Sequence, residues 1–366
     1  MHKKSQNQYF GYAPYVREMN LWFKHVDQVE VLGPLEDGIP TDIDLPYVHR
    51  DIQFTTISEI SLISFIQIIK TLWFLPIILL RLFQACRRAD HIHLRCPGNI
   101  GLLGCLVQIL FPNKIKTAKY AGNWDPKAKQ PLSYRLQKWV LSNTFLTRNM
   151  QVLVYGHWPK QTKNILPFFT ASYTEGEREI LKERKYDGQL HFVFVGSLVS
   201  GKRPLLAIQI VETLLKQGRK VQLDLYGDGV LKSLLEDYVQ ENGLERVVRF
   251  HGNQSKEQLK AAYRAPHFLI LASKSEGWPK AVAEGMFFGV IPIATDISCV
   301  SDMLGRGERG ILIQPELELA LQSVNNALRN EETLQNMSAL AMKWSQKFTL
   351  DRFEKDIKAL IQSTQK

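Results

Sequence analysis

Short apolar runs alternate with helical stretches along most of this chain, and this alternation restricts the possible folds more than any other feature. In the second half, five predicted strands alternate with four predicted helices, namely His191–Val195, Pro204–Gln217, Val221–Tyr226, Leu231–Asn242, Val247–Phe250, Lys256–Arg264, His267–Leu271, Lys280–Phe288 and Val290–Ala294. Strands and helices that alternate in this way form a parallel sheet with helices on both faces. The second half is therefore predicted to be a doubly wound α/β domain.

The first half follows the same pattern less regularly. Strands are predicted at Gln28–Leu32, His91–Leu94 and Ile115–Tyr120, with a helix that begins near Asn99. Residues 171–188 are polar and charged, which indicates a boundary. A chain of 366 residues also exceeds the roughly 150 that one average domain uses. Two Rossmann-like domains are predicted, although neither half contains a Gly-x-Gly-x-x-Gly or a Walker A sequence.

Basic side chains are concentrated in the first half of the chain. Residues 1–170 contain 20 lysines and arginines against 11 acidic residues, a net charge of +9. Residues 171–366 contain 26 against 25, a net charge of +1. This asymmetry indicates that the first domain faces an anionic partner, for which a nucleic acid, a membrane surface and a phosphorylated ligand stay open.

An apolar segment from Ile60 to Leu80 is long enough to span a bilayer and contains one charge, at Lys70. Lys70 lies near its middle, and Pro76 is expected to kink or end a helix, so both residues oppose a transmembrane span. Three interpretations stay open: a transmembrane span, a buried or half-buried pair of helices, and an interfacial helix in one leaflet. Arg81 and Arg87 follow the segment, and basic residues beside an apolar helix favour the interfacial position.

The cysteines and histidines do not predict a metal site or a disulfide framework. No Cys-x2-Cys pair is present, and the cysteines are Cys86, Cys96, Cys105 and Cys299. His91 and His93 fall on one face of a predicted strand, but no acid or cysteine is spaced to complete a metal site. The N-terminus has two lysines without an apolar stretch behind them, so no secretory signal is expected. The protein is therefore expected on the cytoplasmic side, with no cofactor and no metal.

The segment Ser275–Gly289 is the most informative loop. A strand ends before it, Pro279 lies near the start of a helix, and two acidic residues, Glu276 and Glu284, are eight positions apart. If the whole stretch rises as a helix, the two carboxylates lie about 12 Å apart along its axis. Acids at this separation can hold two parts of one elongated ligand, and free amides at the start of the helix favour an anion between them. The alternative is a solvent-exposed helix with a capping acid.

The sequence around this loop resembles the signature of the GT-B retaining glycosyltransferases of family four, also called group 1. The similarity lies in ILASKSEGWPKAVAEGMFFGVIPIATD, FVFVGSLVSGKRP, YGDGVLKSLLEDYVQENGLERVVRFHG and GERGILIQP. It extends from about residue 190 to 345, with weaker similarity in GYAPYVREMNLW and in the tail after Thr349. The resemblance implies an α/β GT-B fold in which two Rossmann-like domains face each other across a cleft.

The resemblance also implies a division of the chain into four parts. Residues 1–170 are expected to form an acceptor-binding domain that faces a membrane, and residues 171–188 a linker. Residues 189–345 are expected to bind the nucleotide sugar. Residues 346–366 are expected to form a terminal helix that returns to the first domain.

By resemblance, Glu276 and Lys202 are the catalytic residues: Glu276 contacts the donor sugar, and Lys202 stabilises the charge of the departing diphosphate. Glu284 is expected to bind the ribose hydroxyls. The remaining donor contacts are expected at Gly196, Ser197, Arg203, Gly227, Gly277 and Trp278. Ser197 stands where the family usually has an arginine, and Arg203 either supplies that charge or is a solvated loop cation.

The first domain departs from the family pattern in two places. Gly11 and Tyr12 resemble the first glycine-rich turn, but only ten mostly polar residues precede them, where the family has a strand. Either that strand is missing or another segment fills its place in the sheet. Asn123 and Asp125 lie where many members have a histidine. They either contact the acceptor or form a plain turn.

These expectations define a function. The chain is expected to move a sugar from a nucleotide-diphosphate donor to a lipid-linked or envelope glycan, in polysaccharide or lipopolysaccharide biosynthesis, with retention at the anomeric carbon. The basic first domain points to peripheral contact with an anionic membrane at its inner face rather than to nucleic acid. The alternatives are an inactive membrane-associated GT-B scaffold and a nucleotide-sugar epimerase.

Overall fold

The computed structural model describes residues 2–41, 43–60, 65–180 and 183–363. Residues 61–64, at the start of the Ile60–Leu80 segment, lie outside this range, as do 181–182 in the expected linker and 364–366 at the end of the expected terminal helix. The described strands are β1 (His2–Ser5), β2 (Gln8–Tyr12), β3 (Val29–Gly33), β4 (Leu35–Asp37), β5 (Asp44–Pro46), β6 (Ile52–Thr56), β7 (His91–Cys96), β8 (Ile115–Tyr120), β9 (Met150–Tyr155), β10 (Ile165–Phe168), β11 (Leu190–Val195), β12 (Val221–Tyr226), β13 (Val248–Gly252), β14 (Phe268–Leu271), β15 (Ile291–Thr295) and β16 (Ile311–Ile313).

The described helices follow the same alternation. They are α1 (Ala13–Phe23), α2 (Phe65–Arg88), α3 (Asn99–Val107), α4 (Leu132–Ser142), α5 (Pro204–Lys216), α6 (Lys232–Glu241), α7 (Lys256–Ala262), α8 (Lys280–Phe287), α9 (Val300–Met303), α10 (Leu317–Ala327), α11 (Glu331–Ser345) and α12 (Leu350–Ser363). Short 3-10 helices lie at Gln108–Leu110, Glu175–Glu177 and Gly305–Gly307.

The second domain is built on one parallel sheet of six strands in the order β13-β12-β11-β14-β15-β16. The central strands β11, β14 and β15 are buried on both faces, which is why they are nearly continuous apolar runs. Phe192 and Phe194 of β11 pack in one core cluster, and Val193 packs in the cluster on the other face. This order is that of the doubly wound α/β fold, so the predicted fold class is confirmed.

The first domain divides its strands among three sheets. β7 to β10 form a parallel sheet in the order β10-β9-β8-β7, and β3 pairs with β6 in a parallel pair. A third sheet, in the order β4-β1-β2-β5, contains the start of the chain. There β1 and β2 form an antiparallel hairpin, with Lys3 opposite Phe10. The residues before Gly11 therefore form strands, but these strands join neither of the two parallel sheets.

Among its described residues, the apolar segment of the first domain forms one long helix from Phe65 onward, α2, and not a pair of helices. Pro76 does not end this helix, which continues to Arg88. A proline removes only one backbone hydrogen bond from a helix. The part from Ile69 to Arg88 is long and apolar enough to cross a membrane by length and composition, and 22% of that stretch is buried. Ile78 and Leu82 are buried, whereas Leu72 and Trp73 are exposed.

The last helix, α12, packs on the first domain. Its Phe353, Ile357 and Ile361 are buried in one cluster with Val16 and Met19 of α1. The residues between the domains are also packed in place: Tyr173 contacts Phe287 and Phe288, with ring centroids 5.0 and 5.1 Å away.

Candidate active site

Two loops at the carboxyl ends of neighbouring strands form the site. The first loop follows β11 and leads to α5, and the second follows β14 and leads to α8. The backbone N–H of Lys274 donates to the carbonyl of Gly201 at 2.8 Å, which joins the loops. Ligands of open α/β sheets bind at this edge, so the predicted position of the site agrees with the topology.

Lys202 and Glu276 meet across these loops. The ammonium group of Lys202 lies 2.5 Å from Oε1 of Glu276, and the Glu276 side chain is 8% exposed while that of Lys202 is 29% exposed. Because a charge-assisted bond in a half-buried site is strong, the pair fixes both side chains. The ammonium group remains partly open to solvent, where an anionic ligand can reach it.

Glu284 lies in the second turn of α8 and already has two hydrogen-bond partners. The hydroxyl of Ser172 donates to Oε1 at 2.5 Å, and the hydroxyl of Tyr263 donates to Oε2 at 3.1 Å. Burial, together with the neighbouring Glu284 carboxylate, raises the pKa of Tyr263 well above its ordinary value, so this phenol stays a donor. The Glu284 carboxylate is therefore held by Ser172, which precedes the second domain, and by Tyr263, which lies within it.

The predicted 12 Å helical spacing between the two acids is wrong. α8 begins at Lys280, with Pro279 as its N-cap, so Glu276 to Trp278 lie outside the helix. Only the four steps from Lys280 to Glu284 follow the helical rise, which amounts to about 6 Å. Proline fixes the start of the helix because its missing N–H would be unpaired there in any case.

Arg203 forms hydrogen bonds at the carboxyl end of β14. Its guanidinium donates to the carbonyls of Ala272 and Ser273 at 3.2 and 3.4 Å. Its backbone is left-handed, with φ 49° at the start of α5. Arg203 is therefore not a solvated loop cation, and that it supplies the charge of the arginine that Ser197 replaces stays a prediction. Among the described residues, Lys202 is the cation of this loop that pairs with Glu276.

Glycines let the loops after β11 and β12 approach each other. A Cβ atom at Gly227, whose φ is 133°, would lie 2.0 Å from the carbonyl oxygen of Gly196. The N–H of Gly196 donates to the carbonyl of Tyr226 at 2.9 Å, and the N–H of Leu198 donates to that of Asp228. Gly196, Ser197 and Gly227 thus lie together, and Gly227 is required by this close approach.

The two domains touch at the Glu276 loop. A Cβ atom at Gly277 would lie 2.5 Å from the carbonyl oxygen of Ala121 in the first domain. The side-chain amide of Asn123 donates to the hydroxyl of Ser275 at 3.3 Å. Asn123 also accepts from the N–H of Asp125 at 2.9 Å, which is a turn contact. The predicted acceptor residue Asn123 therefore lies beside the site while also forming the turn.

Trp278 belongs to an aromatic cluster rather than to the open loop. Its ring stacks on Trp344 with centroids 6.1 Å apart and lies 5.7 Å from both Tyr155 and Phe348.

Gly11 and Tyr12 are the other two residues of the first domain that were predicted for the site. A Cβ atom at Gly11 would meet Val16 and His2 at 3.1 and 3.2 Å, and Tyr12 is 58% exposed.

Sequence reasoning missed a buried ion cluster in the first domain. Oε2 of Glu18 lies 2.8 Å from Nζ of Lys119 and 3.0 Å from Nη1 of Arg95, and Thr170 donates to Oε1 of Glu18. Burial lowers the pKa of Lys119 to about 8. Although burial opposes it, the two cations hold the pKa of Glu18 well below its usual range. The signal in the sequence was a lysine inside an apolar strand.

The histidines have structural partners. His91 and His93 both bond to the hydroxyl of Thr117 at 2.8 Å. His191 and His251 bond to the two oxygens of Asp224 at 2.5 and 2.7 Å. Among the residues that the structure describes, no group of three or more histidine, cysteine or acidic side chains is placed to hold a metal ion.

Comparison with known proteins shows what the second domain is similar to. The sequence profile of the family described as "Glycosyl transferases group 1" matches residues 176–344. An uncharacterized glycosyltransferase of Methanocaldococcus jannaschii is 25% identical over 182 residues, which is 49% of each chain. A Campylobacter jejuni protein is 27% identical over 156 residues, 42% of each chain; its name is GalNAc-alpha-(1->4)-GalNAc-alpha-(1->3)-diNAcBac-PP-undecaprenol alpha-1,4-N-acetyl-D-galactosaminyltransferase. These alignments span less than half the length of either relative.

The whole chain is similar to a solved structure. HepE of Anabaena, crystallised with UDP and glucose, superposes with a TM-score of 0.66 at 16% sequence identity, and the match covers 96% of each chain. Identity this low supports a shared fold and nothing finer. Residues 176–344 are therefore similar to the group 1 glycosyl transferases, and the fold of the chain is GT-B.

Proposed function

We propose that the protein is a glycosyltransferase that moves a sugar from a nucleoside-diphosphate donor to a glycan or lipid-linked acceptor with retention at the anomeric carbon. The observation that carries the proposal is the Lys202–Glu276 pair at the carboxyl edge of the second sheet. The relatives support it, since the Campylobacter protein is named for transfer to an undecaprenol diphosphate-linked glycan.

The donor would lie between the Glu276 loop and the loop after β11. Its diphosphate would take the ammonium group of Lys202 and the amides at the start of α8, where the helix dipole favours an anion. Its ribose hydroxyls would reach Glu284, with Ser172 turning to donate elsewhere. This arrangement uses two carboxylates and one cation that the fold already brings to one edge of the sheet.

Lys202 would act on the leaving group. As the bond between the anomeric carbon and the diphosphate breaks, negative charge grows on the phosphate oxygen, and a fixed ammonium group stabilises that charge. Glu276 would hold the sugar by its hydroxyl groups while the acceptor hydroxyl attacks from the face that the diphosphate leaves. The acceptor proton would pass to the departing phosphate, so the step requires no separate protein base.

Donor turnover tests this proposal. Hydrolysis and transfer are measured with a panel of nucleotide sugars for the wild type and for Lys202→Ala and Glu276→Ala. Removing one donor of a charge-stabilising site lowers kcat by roughly 100- to 1000-fold. Lys274→Ala is the matched control, since this exposed lysine lies in the same loop region and only its backbone joins the loops. Nucleotide binding without turnover of any donor would favour the inactive scaffold.

We also propose that the first domain docks on an anionic membrane. The helix α3 packs between α2 and α4, and these neighbours expose large apolar side chains. Trp73 is 79% exposed, Trp139 60%, and Phe145, just after α4, 80%. Lys70 and Arg135 are exposed on the same helices. Aromatic and basic side chains together bind the headgroup region of anionic bilayers.

Sedimentation with phosphatidylglycerol-containing vesicles tests the docking surface. The double variant Trp73→Ser/Trp139→Ser should lose most of the binding. Val230→Ser, which alters an equally exposed apolar residue of the second domain, should keep it. Binding should also weaken as salt rises, since 0.1 M salt screens exposed charges beyond about 10 Å. Equal binding by both variants would contradict the proposed surface.

A further inference from the structure

One carboxylate of the candidate site, that of Glu284, is held by two hydroxyl groups that differ in their freedom to move. Tyr263 donates to Oε2 at 3.1 Å, and Ser172 donates to Oε1 at 2.5 Å. Glu284 and Ser172 are half-buried, whereas Tyr263 is fully buried. A ligand can therefore reach the carboxylate from the side of Ser172 but not from the side of Tyr263.

The Tyr263 hydroxyl is fixed in place. Tyr263 is the C-cap residue of α7, and its backbone N–H donates to the carbonyl of Leu259 at 3.1 Å. Its ring lies nearly parallel to that of Phe288, with centroids 6.4 Å apart. Burial raises the pKa of Tyr263, so the hydroxyl keeps its proton and remains a donor. We expect the bond to Oε2 to persist when a ligand binds.

The Ser172 hydroxyl, in contrast, can be released from Glu284. The next residue, Tyr173, is anchored, because its carbonyl accepts from the N–H of Leu350 at 2.8 Å and its ring packs against Phe287. The serine hydroxyl itself turns about one side-chain bond among three staggered positions. Turning this hydroxyl frees Oε1 without moving the segment between the domains.

We propose that Tyr263 is a positioning residue that aims Glu284 at the ribose of the donor, and that Ser172 is a competing donor which a ribose hydroxyl displaces from Oε1. This inference rests on the proposed function, in which Glu284 takes the ribose. A ribose hydroxyl and the serine hydroxyl are chemically alike, since each donates one O–H to a carboxylate oxygen. In the unliganded protein Ser172 therefore occupies the place of a substrate group, and its bond opposes nucleotide binding.

The two hydroxyls should have opposite effects on affinity. Without the Tyr263 hydroxyl, Glu284 loses the bond that orients its carboxylate, and ribose binding weakens. Without the Ser172 hydroxyl, water solvates Oε1 in the unliganded protein, and the ribose displaces that water instead of the serine. A hydrogen bond within the protein is more stable than the bonds to water that it replaces. Removing the Ser172 bond should therefore strengthen ribose binding, which the loss of a purely structural bond would not do.

Calorimetric titration with a ribonucleotide and its dideoxy analogue, which lacks both ribose hydroxyls, tests the proposal. The nucleotide is UDP or GDP, whichever the wild type binds more tightly. Tyr263→Phe should weaken ribonucleotide binding roughly 10-fold, and Ser172→Ala should strengthen it roughly 2- to 10-fold. Both variants should bind the dideoxy analogue as the wild type does, since the analogue offers no hydroxyl to Glu284.

Tyr238→Phe is the matched control for the tyrosine variant. The Tyr238 hydroxyl of α6 donates to Oε2 of Glu212 in α5 at 2.6 Å, which is the same kind of bond in another part of the domain. This variant should keep the wild-type ratio between ribonucleotide and dideoxy affinities. Binding of the dideoxy analogue by Tyr263→Phe also shows that the variant is folded.

Lys202→Ala separates this proposal from the proposed function. It should weaken the binding of ribonucleotide and analogue alike, because it acts on the diphosphate. If it does so while Tyr263→Phe and Ser172→Ala bind the ribonucleotide as the wild type does, the roles of the two hydroxyls are overturned and the proposed function stands. Weaker ribonucleotide binding by Ser172→Ala would overturn its competing role in the same way. If the wild type binds neither UDP nor GDP, both proposals are overturned.

Discussion

Removing the Glu18 carboxylate should destabilise the first domain more than any surface change. Glu18→Ala leaves the ammonium group of Lys119, which is 1% exposed, without its 2.8 Å partner. It also removes the acceptor for Thr170 and the 3.0 Å contact of Arg95. Breaking a buried ion pair from one side costs about 3–5 kcal/mol, because an uncompensated charge stays buried.

This cost corresponds to a fall of roughly 6–20 °C in the melting temperature, at about 2–4 °C for each kcal/mol in a domain of this size. Differential scanning calorimetry measures the change. The matched control is Glu354→Ala, whose pair with Lys24 lies at the surface, with the two side chains 30% and 56% exposed. Such a pair contributes at most about 1 kcal/mol.

A double variant separates the physical cause from other effects. Glu18→Ala/Lys119→Met removes both charges and replaces the lysine with an apolar side chain. Because the penalty arises from an unpaired buried cation, the double variant should recover much of the lost stability. A Glu18→Ala melting temperature that matches that of Glu354→Ala, or a double variant less stable than Glu18→Ala, would refute this reasoning.

Three further predictions concern other parts of the molecule. Phe353→Ala empties a fully buried site where α12 meets α1, and should lower the free energy of unfolding by about 3–5 kcal/mol in urea titrations. Gly227→Ala should lower nucleotide affinity measured by calorimetry, because its Cβ would lie 2.0 Å from the carbonyl of Gly196; unchanged affinity would contradict the close approach. Burial opposes ionisation of Asp224, but hydrogen bonds from His191 and His251 lower its pKa overall. Its stabilising contribution is therefore present above about pH 4 and declines at lower pH, so the stability lost in Asp224→Asn should shrink between pH 6 and pH 3.

The parts of the fold that follow from local pattern could be predicted from the sequence. β12 is apolar at alternate positions, and its predicted bounds Val221–Tyr226 are the observed ones. The predicted start of α8 at Lys280 is also the observed one, but the predicted 12 Å spacing extended the helical rise back to Glu276, which lies before the Pro279 cap. The spacing of apolar residues and the local composition locate a helix or a strand, whereas the extent of a helix depends on the residue that caps it.

The contacts of the site depend on residues that are distant in sequence. Glu284 meets Ser172 across 112 positions, and Lys202 meets Glu276 across 74. The resemblance predicted Lys202 and Glu276 at one site without predicting that they pair, and it gave no role to Ser172. The direction of Arg203 could not be predicted either, because it follows from two carbonyls at the end of β14 that become available only in the folded sheet.

The affinity for a nucleoside diphosphate tests the central claim most directly. Isothermal titration calorimetry compares UDP and GDP binding by the wild type, Lys202→Ala and Lys274→Ala. A hydrogen bond to a charged group contributes about 1.5–3 kcal/mol, so Lys202→Ala should weaken the binding of the preferred nucleotide by roughly 10- to 150-fold. Lys274→Ala should bind as the wild type does. Equal affinity in Lys202→Ala and the wild type would contradict the placement of the diphosphate at this pair.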